Sequence, residues 1–139
     1  MTNESQVAEF KEGLSKLKEP IVTTIDNLQA ICYGAADVRG WWKDKEGNPT
    51  GRNFGELIAL AHSELSEALE AFRKDLNDDH LPDYPGVTVE LADTIIRILD
   101  MSGAMGLEVG SALYDKLMYN LSREDHDLAN RNKDGGKKF

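Results

Sequence analysis

Apolar residues recur along this chain at three- and four-residue spacing, and the recurrence stops and restarts at identifiable breaks. Val7, Phe10, Leu14 and Leu17 predict a short amphipathic helix that runs until Pro20. A second helix, over about residues 21–39, carries Ile21, Val22, Ile25, Leu28, Ile31, Cys32 and Ala35, and Gly40 closes it. The stretch WWKDKEGNPTGRN is rich in Gly, Pro, Asn and charge and reads as a loop, although both tryptophans of the chain open it. Asn53 followed three places later by Glu56 is an Asn-led form of the capping box, and a third helix starts there and reaches about residue 76. Beyond the loop NDDHLPDYPG, Pro85 suits the first turn of a fourth helix that continues through VTVELADTIIRILDMSGAM, with Gly103 and Gly106 at its end. A fifth, over roughly residues 107–125, sets Val109, Leu113, Leu117 and Leu121 on one side.

No alternating strand pattern, internal repeat or Gly-rich phosphate loop interrupts this sequence of helices. The expected fold class is therefore all-α, an antiparallel bundle of four to five helices whose sites are built from side chains on facing helices. One domain over residues 1–126 accounts for the pattern. The remainder, residues 127–139, has little to bury and reads as a flexible tail.

Charge and cysteine content narrow the partners. A net charge of −9 over 139 residues repels a nucleic-acid backbone, and apart from the Lys-rich end no basic cluster offsets it. A small polyanion brought in with divalent cations stays compatible, because a bound cation inverts the local charge balance. Cys32 is the only cysteine, so an internal disulfide and a Cys-based zinc site are excluded and a reducing, cytoplasmic setting is expected. Neither a basic start followed by an apolar run nor a membrane-length apolar stretch is present, and no membrane partner is expected.

The third and fourth helices carry the chemistry. At about 100° per residue, Leu57, Leu60, Ala61, Leu65, Ala68, Leu69 and Phe72 cover a broad apolar arc of the third helix. Glu64 falls at the edge of that arc and Glu67 beside Leu60, whereas Glu70 points to the opposite, polar side. The fourth helix is apolar around most of its circumference and sets Glu90 and Asp93 one turn apart on a narrow polar strip. Such spacing also suits a solvated face, with Arg97 paired to Asp93 at i, i+4. If the two strips face each other, four carboxylates converge, and protons or cations must neutralise them. An oxygen-rich, histidine-free site suits Mg²⁺ or Mn²⁺. A di-iron carboxylate bundle needs Glu-x-x-His motifs, and none of His62, His80 and His126 stands three places after a glutamate.

The pairs ELSE (Glu64, Glu67) and ELAD (Glu90, Asp93), on consecutive helices with a short loop between them, resemble the all-α nucleoside triphosphate pyrophosphohydrolases of the MazG type. Downstream, KLMYNLSR resembles that family's K-x-x-x-N-x-x-R signature and gives Lys116, Asn120 and Arg123, which at i, i+4, i+7 share one helix face. The resemblance covers most of the chain, from about residue 40 into the last helix. It implies a Mg²⁺-dependent enzyme, with Mn²⁺ as a second candidate ion, that cleaves a nucleoside triphosphate to the monophosphate and pyrophosphate. In that scheme Glu64, Glu67, Glu90 and Asp93 hold the metal, Glu67 or Glu64 activates water, and Lys116, Asn120 and Arg123 meet the phosphates. Trp41 and Trp42 stand where relatives often carry an aromatic near the base. Some members carry E-E-x-x-E, and Ser63 stands at the place of the extra acid, which leaves the water-activating carboxylate open.

Two helix pairs make a thin bundle, so a homodimer or homotetramer is expected, with neighbouring subunits completing the nucleotide pocket. The competing reading is a non-catalytic helical module that binds a nucleotide or a protein and uses its acids structurally. Within the enzyme class, an all-α dUTPase or a phosphoribosyl-ATP pyrophosphatase are the alternatives.

Overall fold

A computed structural model describes residues 3–137. Among them the chain forms six α-helices and one 3₁₀ turn, and no strand. The helices are α1 (Asn3–Ser15), α2 (Lys18–Val38), α3 (Phe54–Lys74), α4 (Gly86–Ala104), α5 (Val109–Asn120) and α6 (Leu128–Arg131), with the 3₁₀ turn Glu124–His126 between the last two. The expected all-α class holds. No helix among the described residues is long and apolar enough to cross a membrane.

Several ends differ from those read in the pattern, each for a local reason. Pro20 does not end α1. It lies in the first turn of α2, where a missing N–H breaks no helical hydrogen bond, and its carbonyl accepts from the Thr24 hydroxyl at 2.7 Å. The start of α3 is as expected: Asn53 stands outside the helix at φ −69°, ψ 122°, and its side chain accepts from the Glu56 N–H at 3.1 Å. α3 stops at Asp75, which adopts the left-handed conformation (φ 51°) and directs its N–H back to the last turn. α5 ends at Asn120, five residues short of the expected position. Inside the expected tail, α6 forms one turn, and the Asn130 amide donates to the Glu124 carbonyl at 2.7 Å. Residues 138 and 139 of that tail lie outside the described residues.

The chain divides into two compact units. The first comprises Met1–Asp26 and Glu108–Phe139, the second Asn27–Leu107, so α2 contributes its first part to one and its last part to the other. In the first unit, Gly110 opens α5 where a Cβ would meet the Val22 carbonyl at 2.9 Å, so only glycine permits this approach to α2. Tyr114 is buried, with the Lys18 ammonium 5.1 Å from its ring centre.

The second unit is organised around α3 and α4. They run antiparallel: Gly86 at the start of α4 lies against Ala71 near the end of α3, where an added Cβ would come within 3.0 Å of the alanine methyl. The connecting loop is tied down, with Asp78 Oδ1 accepting the N–H groups of His80 (2.9 Å) and Leu81 (2.6 Å), and Asn77 donating to the Pro82 carbonyl at 3.0 Å. At the other end of the pair, Trp42, Leu57, Ala61 and Met101 form the core cluster, with Tyr33, Ala36 and Ala104 packed against it. Burying large apolar side chains of this kind stabilises by about 1.5–3 kcal/mol each.

The buried stripe of α3 is Leu57, Ala61, Glu64 and Ala68, at i, i+4, i+7, i+11. The broad apolar arc is therefore split. One part faces α4 and takes Glu64 with it, while Leu65, Leu69 and Phe72 stay exposed, Phe72 by 72%.

Candidate metal centre

The antiparallel pairing brings the acidic residues of α3 and α4 together. One carboxylate oxygen from each of Glu64, Glu90 and Asp93 lies within 4.8 Å of the other two. Glu64 is buried, and Glu90 and Asp93 are half-buried. Together with Glu67, Glu70 and the loop residue Asp78 they line a cavity of about 560 Å³. Glu67 is exposed and stands outside the close trio, although its charge reaches Glu90. Glu70, assigned to the polar side, is exposed and paired with Lys74, and it touches the cavity rim.

Three carboxylates at this separation cannot all be charged without compensation, and the protein supplies two kinds. The first is a proton: burial above all, then a shared hydrogen with Glu64 and the charges of Glu67, Glu64 and Asp93, push the Glu90 carboxyl up to about 7. The second is a cation: Arg97 Nε donates to Glu64 Oε1 across the helix pair. Arg97 does not make the i, i+4 pair with Asp93, but its charge still lowers the Asp93 pKa against burial and the charges of Glu64 and Asp78, which together win and raise it.

The donor set fits a hard divalent cation. It offers only carboxylate oxygens, contains no thiolate or imidazole, and holds an excess of negative charge that a dication would relieve. Glu64, Glu90 and Asp93 are the residues placed to hold such an ion, and Glu67 is close enough to act on its surroundings.

The two tryptophans have separate fates. Trp42 is buried in the core, donates its indole N–H to Asp100 Oδ1 at 2.7 Å, and meets Tyr33 edge to face with ring centres 6.1 Å apart. Trp41 is 64% exposed, and the guanidinium of Arg52 lies 5.8 Å from its ring centre and 5.7 Å from that of Trp42.

Lys116, Asn120 and Arg123 lie in the first unit, whereas the carboxylates lie in the second. Lys116 and Asn120 stand one turn apart on α5, but Arg123 lies beyond its end and does not share that helix face. Arg123 grips Asp125 with two hydrogen bonds of 2.8 and 2.5 Å, and the Lys116 ammonium lies 4.8 Å from the Tyr119 ring centre.

Three participants escaped the sequence reading. Spacing alone gives Arg97 as a surface partner of Asp93, Asp78 as part of a loop, and no role for Asp100. A signal existed for two of them, since Glu90, Asp93, Arg97 and Asp100 follow one another at i, i+3, i+7, i+10 and so form one polar stripe along α4. Comparison of the chain with protein-family models, with curated proteins and with solved structures finds no match, so the resemblance to the pyrophosphohydrolases rests on the motifs and their spacing.

Proposed function

We propose that the protein is a Mg²⁺-dependent nucleoside triphosphate pyrophosphohydrolase, which converts a (d)NTP to the monophosphate and pyrophosphate. The observation that carries this reading is the meeting of Glu64, Glu90 and Asp93 from two consecutive antiparallel helices within 4.8 Å. A structural ion pair needs one acid and one base, and three acids with a single arginine leave charge over for a cation. A divalent ion held there supplies charge neutralisation for the phosphate oxygens.

The protein's own groups then divide the work. Glu67 lies on the cavity wall outside the trio and accepts the proton of the attacking water, with Glu64 as the other candidate base. The water oxygen attacks the α-phosphorus and the bond to the bridging oxygen breaks, so pyrophosphate leaves. Arg97 lines the same cavity and, with a dication on the glutamate, would be free to leave Glu64 for the phosphate oxygens. The resemblance gives Lys116, Asn120 and Arg123 a phosphate-binding role as well, and in that role Arg123 must exchange Asp125 for substrate.

A homo-oligomer belongs to the same proposal. α3 exposes Leu65, Leu69 and Phe72 and α4 exposes Leu91, Ile95 and Ile98, each set at i, i+4, i+7. Apolar rows of this regularity are what a second copy would cover.

The test is a panel of NTPs and dNTPs with Mg²⁺, read by pyrophosphate and monophosphate release. Release is expected for at least one nucleotide, with a loss of about a hundredfold or more in Asp93→Asn. No release with any nucleotide, together with no carboxylate-dependent Mn²⁺ binding by calorimetry, would favour the non-catalytic helical module instead.

A further inference from the structure

Beside the carboxylate cavity lies a second one, of about 470 Å³, in the size range of small-molecule pockets. The two share Asp93 and Arg97 as wall residues. The second is lined by apolar side chains that include Ile31, Ala35 and Ile96, by the exposed Trp41, and by the polar groups of Asp100 and Arg52. The resemblance sets Trp41 near the base, and the hydrolytic reading above gives no role to Asp100, Arg52 or the apolar side chains.

We propose that this second cavity is a base-reading subsite for a guanine nucleotide, in which Trp41 stacks on the base and Asp100 accepts hydrogen bonds from its Watson–Crick edge. The inference rests on the nucleotide reading of the neighbouring site and deepens it.

Asp100 is held ready for this role. Its Oδ1 is fixed by the indole N–H of Trp42, a core residue, and its Oδ2 takes no hydrogen bond among the described residues. A carboxylate accepts only, and its two oxygens offer about four lone-pair positions, so Trp42 leaves room for two further donors. Guanine presents two adjacent donors, N1–H and the N2 amine, beside one acceptor, O6. The donors match Asp100, and O6 matches a guanidinium of the kind that Arg52 brings to the same cavity. Adenine, cytosine and uracil each offer one donor position on that edge.

Spacing supports the assignment. Asp93 and Asp100 lie two turns apart on α4, about 10 Å along the helix axis. A sugar spans such a gap between an α-phosphate at the carboxylates and a base edge at Asp100. Trp41 is 64% exposed, and the guanidinium of Arg52, on a side chain only 18% exposed, lies 5.8 Å from its ring centre. A ring this exposed offers a surface on which a base can stack.

The experiment is a titration of the whole protein with GMP, AMP, CMP and UMP in Mg²⁺, read by tryptophan fluorescence. GMP is expected to quench with a Kd roughly tenfold or more below the others. Asp100→Asn, whose amide oxygen can still accept from Trp42, should bring the four bases within about threefold of one another, and Trp41→Ala, assayed by calorimetry, should weaken all four alike. Equal Kd values in the wild type, an Asp100→Asn variant that keeps the guanine preference, or no binding of any monophosphate would overturn the proposal. Should the variant fail to fold, the wild-type base series decides alone. The two readings separate cleanly: guanine-selective binding without pyrophosphate release from GTP or dGTP removes the enzyme and leaves the subsite. Pyrophosphate release with no base preference removes the subsite and leaves the enzyme.

Discussion

Two sets of polar residues with similar sequence spacing have different physical characters. On α4, Glu90, Asp93, Arg97 and Asp100 stand half-buried, and the carboxyl groups of all three acids are raised by burial and by their neighbours. At the end of α5, Lys116 is exposed and Arg123 is satisfied by Asp125 two residues on. The α4 charges are constrained from across the helix pair, whereas the α5 charges find local partners or water. Helical spacing tells which residues share a face. What stands opposite that face decides whether their charges are costly, and costly charge is where ligand chemistry is to be sought.

The sharpest way to break this contrast is to remove the one cation from the α4 stripe. Arg97→Ala leaves Glu64, with a side chain only 8% exposed, beside two other acids and no base. Stranding a fully buried charge costs about 3–5 kcal/mol. Arg97 itself is 41% exposed, so solvent screening reduces the expected loss to about 1–2 kcal/mol at neutral pH in chelator. Arg97 and a dication also compete for the same glutamate, so the variant should bind Mn²⁺ more tightly than the wild type. Thermal melts with and without Mn²⁺ measure both effects, and unchanged stability with unchanged Mn²⁺ affinity would make the pair an ordinary surface contact.

These effects mark the boundary of what the sequence carries. The all-α class, the Asn53 cap and the start of α4 after Pro85 were legible because they are written within a few residues. Pro20 misled because the same residue ends one helix or opens the next, and only the following packing decides which. The carboxylate pairs were legible as a pattern, but the wheel set Glu64 at the edge of an apolar arc too broad for one neighbour to cover. Docking α4 on the Leu57–Ala61–Ala68 side drew Glu64 inward and left Leu65, Leu69 and Phe72 out. Arg97 with Glu64, and Trp42 with Asp100, are contacts between elements far apart in sequence, and no local spacing encodes them.

A second, smaller effect comes from pH. The Glu90 carboxyl, ordinarily near 4.5, titrates at about 7 in the folded protein. The folded state therefore keeps a proton that the unfolded chain gives up, and this contribution to stability is full below about pH 4.5 and lost as pH rises through about 7. In chelator, Tm should fall by a few degrees between about pH 5 and pH 8, and Glu90→Gln should flatten that part of the profile. Binding of a dication displaces the same proton, so Mn²⁺ affinity should weaken as pH falls below about 7. A pH-independent affinity in the wild type would remove Glu90 from the ligand set.

The charges at and beyond the end of α5 should give the smallest response, and that is their use as a control on the contrast. Arg123→Ala removes a guanidinium whose partner, Asp125, is solvent-exposed and lies two residues away, so nothing buried is stranded. Surface pairs of this kind contribute little, and Tm should stay within about a degree of the wild type at any salt concentration. If Arg123 also meets phosphate, as the resemblance implies, the loss appears in KM for the nucleotide while stability and Mn²⁺ affinity stay as they were. Arg97→Ala moves all three quantities. A variant at Arg123 that lowers stability as much as Arg97→Ala would show that the two sets are constrained alike, and the distinction between buried and locally satisfied charge would no longer single out α4 as the functional face.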